Sequence, residues 1–190
     1  LLAQEVFPTL RQRCIQLGVH FVEVDFGWGV PEQVAESKSC IMTRLLELRQ
    51  NIKSYIVGLV GERYGFTYRL DAAPSHGSLD PLFVGKRATV LGLQEVELDE
   101  GPLSADIPHK AFYYFRDPRY LDMVEEQQHR RAFQSEGMLA RERLSNMKSR
   151  MLLGNIPVRH NYSSPEEVAN LVLQDLTEQI SKDFPQDYSS

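Results

Sequence analysis

The stretch that decides the fold is IKSYIVGLV (residues 52–60), followed at once by Gly61-Glu62-Arg63-Tyr64-Gly65. Its apolar residues run on without the alternation of a strand that has one wet face, so a strand here is buried on both sides. The switch to glycine and charge at Gly61 ends it. AFYYF (residues 111–115) repeats the pattern and stops at Arg116-Asp117-Pro118. Strands of this kind pair in parallel beneath helices on both faces.

Working outward, the hydrophobic period switches repeatedly between helix and strand. Leu2, Val6, Leu10, Cys14 and Leu17 keep helical spacing, and Gly18 is a natural stop. VHFVEVDF (residues 19–26) reads as a strand broken by Gly27-Trp28-Gly29. Pro31 opens a helix that Val34, Cys40, Ile41, Leu45 and Leu48 carry to about Gln50. Residues 66–86 have no period and contain Pro74, Gly77, Pro81 and Gly85, the signature of a long loop. A short helix or helical turn follows over residues 89–100. Residues 119–153 are helical in composition with a break at Gly137, and residues 156–160 form a short strand. Ser164 caps a last helix running to about Lys182, with Pro165 in its first turn and Glu167 in the capping-box position.

Composition narrows the function classes. A length of 190 residues suits one domain, and a hydrophobic content of 42% with 25% charge is ordinary for a globular protein. The net charge of −5 gives nucleic acid no support as the main ligand. Cys14 and Cys40 sit in separate helical patterns without metal-ligand spacing, and read as reduced, buried thiols of a cytoplasmic protein. The five histidines are scattered, so no metal site is expected. No apolar run reaches the roughly 20 residues of a membrane span, and no signal peptide is visible.

The element order is a helix followed by four strand–helix units. In a flavodoxin-like strand order of 2-1-3-4-5, the strand missing from this chain is the central one. An empty central slot would leave backbone groups unpaired on both sides. A strand is therefore expected just before Leu1, the chain being one domain (1–190) of a larger multidomain protein. A self-sufficient strand order is the alternative.

Five segments carry a resemblance: Glu5-Val-Phe-Pro-Thr-Leu-Arg11, Val22-Glu-Val-Asp-Phe-Gly-Trp-Gly-Val30, Val57-Gly-Leu-Val-Gly-Glu-Arg-Tyr-Gly65, Ala111-Phe-Tyr-Tyr-Phe-Arg-Asp-Pro118 and Ser164-Pro-Glu-Glu-Val-Ala169. In order and spacing they resemble the N-terminal domain of nephrocystin, telomerase-associated and NACHT–WD-repeat proteins, of the STAND NTPase class. The resemblance implies a TIR-like, flavodoxin-like α/β fold and a scaffold role in signalling. It also implies protein partners or self-association, with ATP bound only on an adjacent NACHT module. This segment has no phosphate-binding loop of its own. Two departures stand out. The opening strand and the acidic–basic pair after it are absent, and Gly92-Leu-Gln-Glu-Val-Glu-Leu98 keeps the acids of the family's Ser/Thr-Glu-x-Glu-Ile segment without its hydroxyl.

Some TIR-related domains cleave NAD with a glutamate near the strand ends, where a carboxylate answers the positive charge that develops at the ribose. By motif position that residue is Glu97, with Glu95 second, and NAD would then be a substrate. The other account of Glu95, Glu97, Asp99 and Glu100 is the solvated face of an acidic helix. Two residues apart on a helix, Glu95 and Glu97 diverge and cannot act as a pair. At the carboxyl edge of the sheet, Trp28 or Tyr64 is placed to stack on a base, and Arg63 to hold a phosphate or a carboxylate. Equally, Trp28 covers the sheet edge and Arg63 pairs with Asp25 or Glu62. The sequence thus frames an interaction module against an N-glycosidic-bond enzyme.

Overall fold

Three parallel strands, β1 (Tyr55–Val60), β2 (Lys110–Arg116) and β3 (Val158–Tyr162), pair in the order β1-β2-β3 in a computed structural model that describes residues 1–23, 55–64, 110–153 and 157–185. Gly58 lies opposite Tyr113, and Val60 opposite Phe115. Successive side chains of β2 take opposite faces, as the pleat requires. Tyr114 joins one core with Val6, Leu10, Cys14, Val172, Leu176 and Ile180. Tyr113 and Phe115 join another with Val60, Tyr64, Leu144, Met147 and Met151. Both faces are covered, which is why AFYYF shows no polar alternation.

The first face is built by α1 (Phe7–Gln16) and α5 (Pro165–Asp183). A π turn, Leu2–Val6, precedes α1. It lies just before Pro8, which has no N–H and crowds the carbonyl four residues back. Gly18, at φ 69, closes α1 by the expected left-handed cap. Val19 N–H reaches the Cys14 carbonyl at 2.8 Å and Gly18 N–H that of Ile15 at 3.0 Å. Cys14 is a buried free thiol, as expected, and burial pushes its pKa up. Cys40 lies outside the described residues.

The strand expected over residues 19–26 does not form over 19–23, and the remainder lies outside the described residues. Residues 19–23 instead run back along α1. The Phe21 and Phe7 rings stand 6.2 Å apart, and Arg11 pairs with Glu23. The helix expected over 31–50, the loop over 66–86 and the helix over 89–100 also lie outside the described residues.

α5 carries its apolar residues at Val168, Ala169, Val172, Leu176 and Ile180, one stripe along the helix. Burying a side chain such as Val172, Leu176 or Ile180 contributes roughly 1.5–3 kcal/mol. The Ser164 hydroxyl accepts from the Glu167 N–H at 3.1 Å, so the cap is where the sequence puts it. The return bond of the capping box is displaced by one residue: Glu167 accepts from the N–H and hydroxyl of Ser163, each at 2.7 Å. Those bonds hold the Glu167 carboxyl below the usual carboxylate range.

The second face is covered by α4 (Met138–Leu153), whose Leu144, Met147 and Met151 recur at helical spacing. The helical stretch expected over 119–153 is three helices, α2 (Tyr120–Met123), α3 (Gln127–Phe133) and α4. The expected break at Gly137 is present. A further one falls at Val124, where the backbone turns extended with ψ 106. Among the described residues no helix is long and apolar enough to cross a membrane, and no cluster of His, Cys, Asp and Glu could hold a metal ion.

Candidate functional site

Parallel pairing brings the ends of β1, β2 and β3 to one rim, and the residues just past Val60, Arg116 and Tyr162 become neighbours there. Open α/β sheets bind ligands at this carboxyl edge. Gly61 permits the closest approach. A Cβ on it would stand 2.8 Å from Arg116 Nη2 and 3.0 Å from its Cζ. The Arg116 guanidinium lies over the Tyr120 ring at 4.9 Å and the Phe133 ring at 5.0 Å. Those rings meet edge to face at 5.8 Å. The cation is thus held by aromatic faces, and its buried Nε has no hydrogen-bond partner among the described residues. Glu62 Oε1 is likewise buried without one among the described residues. Lys148 Nζ stands 3.6 Å away, close enough for charge attraction and too far for a hydrogen bond.

Beside Arg116, Asp117 is 8% exposed. It accepts from the Arg119 backbone N–H at 2.9 Å and from its Nη2 at 2.7 Å. The Arg119 guanidinium and N–H hold the Asp117 carboxyl below the usual carboxylate range. The backbone N–H of Asp117 donates to the Tyr162 carbonyl at 2.9 Å, which ties the ends of β2 and β3 together. Burial pushes the Tyr162 hydroxyl pKa up.

Arg63 and Tyr64, the described residues among those expected to bind a ligand, both lie at this rim. Arg63 Nε donates to Glu136 Oε1 at 2.9 Å and its Nη1 to the Ala132 carbonyl at 3.1 Å. Glu136 replaces Glu62 as its partner; Asp25 lies outside the described residues. The Tyr64 backbone N–H donates to Glu136 Oε2 at 3.2 Å. Its side chain is 1% exposed and packs in the core with Tyr113, Phe115 and Met147. Trp28, Glu95 and Glu97 lie outside the described residues.

The rim therefore presents three guanidinium groups, each answered from within the chain: Arg63 by Glu136, Arg119 by Asp117, and Arg116 by two rings. This is a geometry for holding anionic groups. Arg116 and Asp117 follow directly on the apolar run AFYYF, as Glu62 and Arg63 follow β1, while the sequence marks Arg119 only as the start of a helical stretch. Glu136 carries no local signal, since it meets Arg63 across 73 positions of sequence.

No protein-family model matches the chain, and no solved structure matches it. A TPR repeat-containing protein of Dictyostelium discoideum is 28% identical over 191 residues, 95% of this chain and 11% of that protein. Telomerase protein component 1 of Rattus norvegicus is 28% identical over 204 residues, 98% of this chain and 8% of that protein. Putative tetratricopeptide repeat protein 41 of Homo sapiens is 22% identical over 215 residues, 97% of this chain and 16% of that protein. The chain is thus similar, along nearly its whole length, to a small part of much longer telomerase-component and tetratricopeptide-repeat proteins.

Proposed function

We propose that the chain is a protein-interaction module, a TIR-like α/β domain of flavodoxin-like order that mediates self-association or partner binding. In this reading it belongs to a NACHT-type multidomain protein of the cytoplasm. The observation that carries the proposal is coverage: a match spans 95% of this chain and only 11% of a repeat-containing relative. A segment that recurs as a minor part of long repeat proteins acts within an assembly. The sequential parallel order β1-β2-β3 supports the flavodoxin-like reading, because the last three strands of a 2-1-3-4-5 sheet are arranged this way.

The test is deletion of residues 1–190 from the full-length parent protein, with assembled mass and cross-linked partners read by mass photometry and cross-linking mass spectrometry. The expected result is a smaller assembly or the loss of defined partners while the repeat array stays folded. An unchanged mass together with an unchanged partner set would overturn the proposal.

A further inference from the structure

The Glu136 carboxylate sits in a cradle made elsewhere in the chain. One oxygen takes the Arg63 Nε–H at 2.9 Å and the other the Tyr64 backbone N–H at 3.2 Å. The cradle is rigid on one side only. Tyr64 is anchored in the core, which fixes the direction of its N–H. Glu136 instead rides on the exposed link between α3 and α4, and no described side chain of α3 is buried. The pair is itself open to water, with side chains 49% and 28% exposed for Arg63 and Glu136. Ion pairs of that exposure contribute little and exchange readily. A carboxylate held at the strand-end rim by one core-anchored N–H and one exposed guanidinium, and carried on an exposed link, has the form of an internal stand-in for a ligand.

The neighbouring cation says what kind of ligand. Arg116, at the end of the adjacent strand, lies over Phe133 from the same α3 and Tyr120 from α2, and its buried Nε has no hydrogen-bond partner among the described residues. Moving α3 away frees Arg63 by loss of Glu136 and uncovers the side of Arg116 that Phe133 holds, while Tyr120 of α2 stays over it. Two guanidiniums on neighbouring strand ends match two nearby carboxylates. The present occupant is a glutamate side chain, so the matching external group is the same chemistry on another polypeptide.

We infer that Arg63 and the Tyr64 N–H form a carboxylate-binding cradle, blocked in cis by Glu136, which an acidic segment of a partner protein occupies by displacing the α3–α4 link. This rests on the interaction-module reading and assigns its docking point.

The experiment uses the full chain, a fluorescently labelled hexaglutamate peptide as probe, and inorganic phosphate as a second arm. Glu136→Ala binds the peptide about fivefold tighter than the parent or more, from the free energy of an exposed charged pair. Arg63→Ala in the Glu136→Ala background abolishes that gain. Hydrogen exchange over α3 quickens in Glu136→Ala, and in the parent at saturating peptide, while β2 amides stay protected and report an intact fold. Equal peptide affinity in Glu136→Ala and the parent overturns the inference, as does a gain that survives loss of Arg63. A gain seen with phosphate and absent with the peptide overturns it too. If the peptide fails while deletion of residues 1–190 still disperses the assembly, the cradle alone is wrong; an assembly indifferent to that deletion sinks the module reading instead.

Discussion

The Tyr114 hydroxyl donates to Asp175 Oδ2 at 3.0 Å, across the interface between β2 and α5. Arg159 of β3 grips the same carboxylate, Nη2 to Oδ1 at 2.6 Å and Nε to Oδ2 at 3.1 Å. One acidic side chain on the inner face of α5 thereby locks the helix to two strands. Tyr55 repeats the arrangement from β1, its hydroxyl donating to Asp183 at 2.7 Å.

Removing the carboxylate in Asp175→Ala leaves a buried phenol and a guanidinium without their acceptor. The expected loss is about 1–3 kcal/mol, and about 1 kcal/mol for Tyr114→Phe alone. Urea unfolding midpoints of the single and double variants give the coupling directly. Strict additivity would show that the two groups act independently.

The same contacts set a pH dependence. Burial pushes the hydroxyl pKa values of Tyr55, Tyr114 and Tyr162 up, and carboxylates add to this at Tyr55 and Tyr114. An acid whose folded value is raised stabilises the fold fully below its unfolded value. That stabilisation is lost as pH climbs, here from about 10 upward. Stability from urea titrations therefore begins to fall above about pH 9, where the buried Cys14 thiol counts, and falls more steeply above about pH 10, each such tyrosine adding up to about 1.4 kcal/mol per pH unit. Tyr114→Phe makes the fall shallower, and an unchanged slope in that variant would remove Tyr114 as a cause.

Gly58 and Tyr113 face each other in register. A Cβ at Gly58 would meet Tyr113 Cδ1 at 2.3 Å and Cε1 at 2.5 Å. The ring is fully buried and cannot swing away. Gly58→Ala should cost about 1–3 kcal/mol by overpacking, and Tyr113→Leu in the same chain should recover part of it. Thermal unfolding of the two single variants and the double variant decides. If the second substitution only adds its own cost, the clash is not the cause.

As an interaction module the domain should not turn over NAD. Incubating the full-length protein with NAD should release no more nicotinamide than a Glu97→Ala control, with or without induced assembly. Chromatographic detection of nicotinamide that depends on Glu97 would establish the enzyme instead.

Much of the described fold could be read directly from residue patterns. The uninterrupted apolar runs of β1 and β2 predict strands buried on both faces. Gly18 and Ser164 mark helix ends because a left-handed cap and a side-chain cap act within a few residues of backbone. Gly137 breaks the 119–153 helix for a similarly local reason. The failure over residues 19–23 is equally informative. Val19, Phe21 and Val22 favour a strand, yet here Phe21 finds Phe7 and Glu23 finds Arg11 along α1. Tertiary contacts override so weak a local preference.

What the chain's order of residues determined by itself is short-range: period, caps, breaks and the polar residues that end each strand, all set by neighbours a few positions apart. What only the tertiary structure decided is who answers whom at the rim. Arg63 meets Glu136, Arg116 enters the Tyr120–Phe133 clamp, and Asp175 joins Tyr114 to Arg159. Arg63 and Glu136 lie 73 positions apart and Tyr114 and Asp175 61, and these pairings exist only once parallel strands and the helices between them have brought distant segments together.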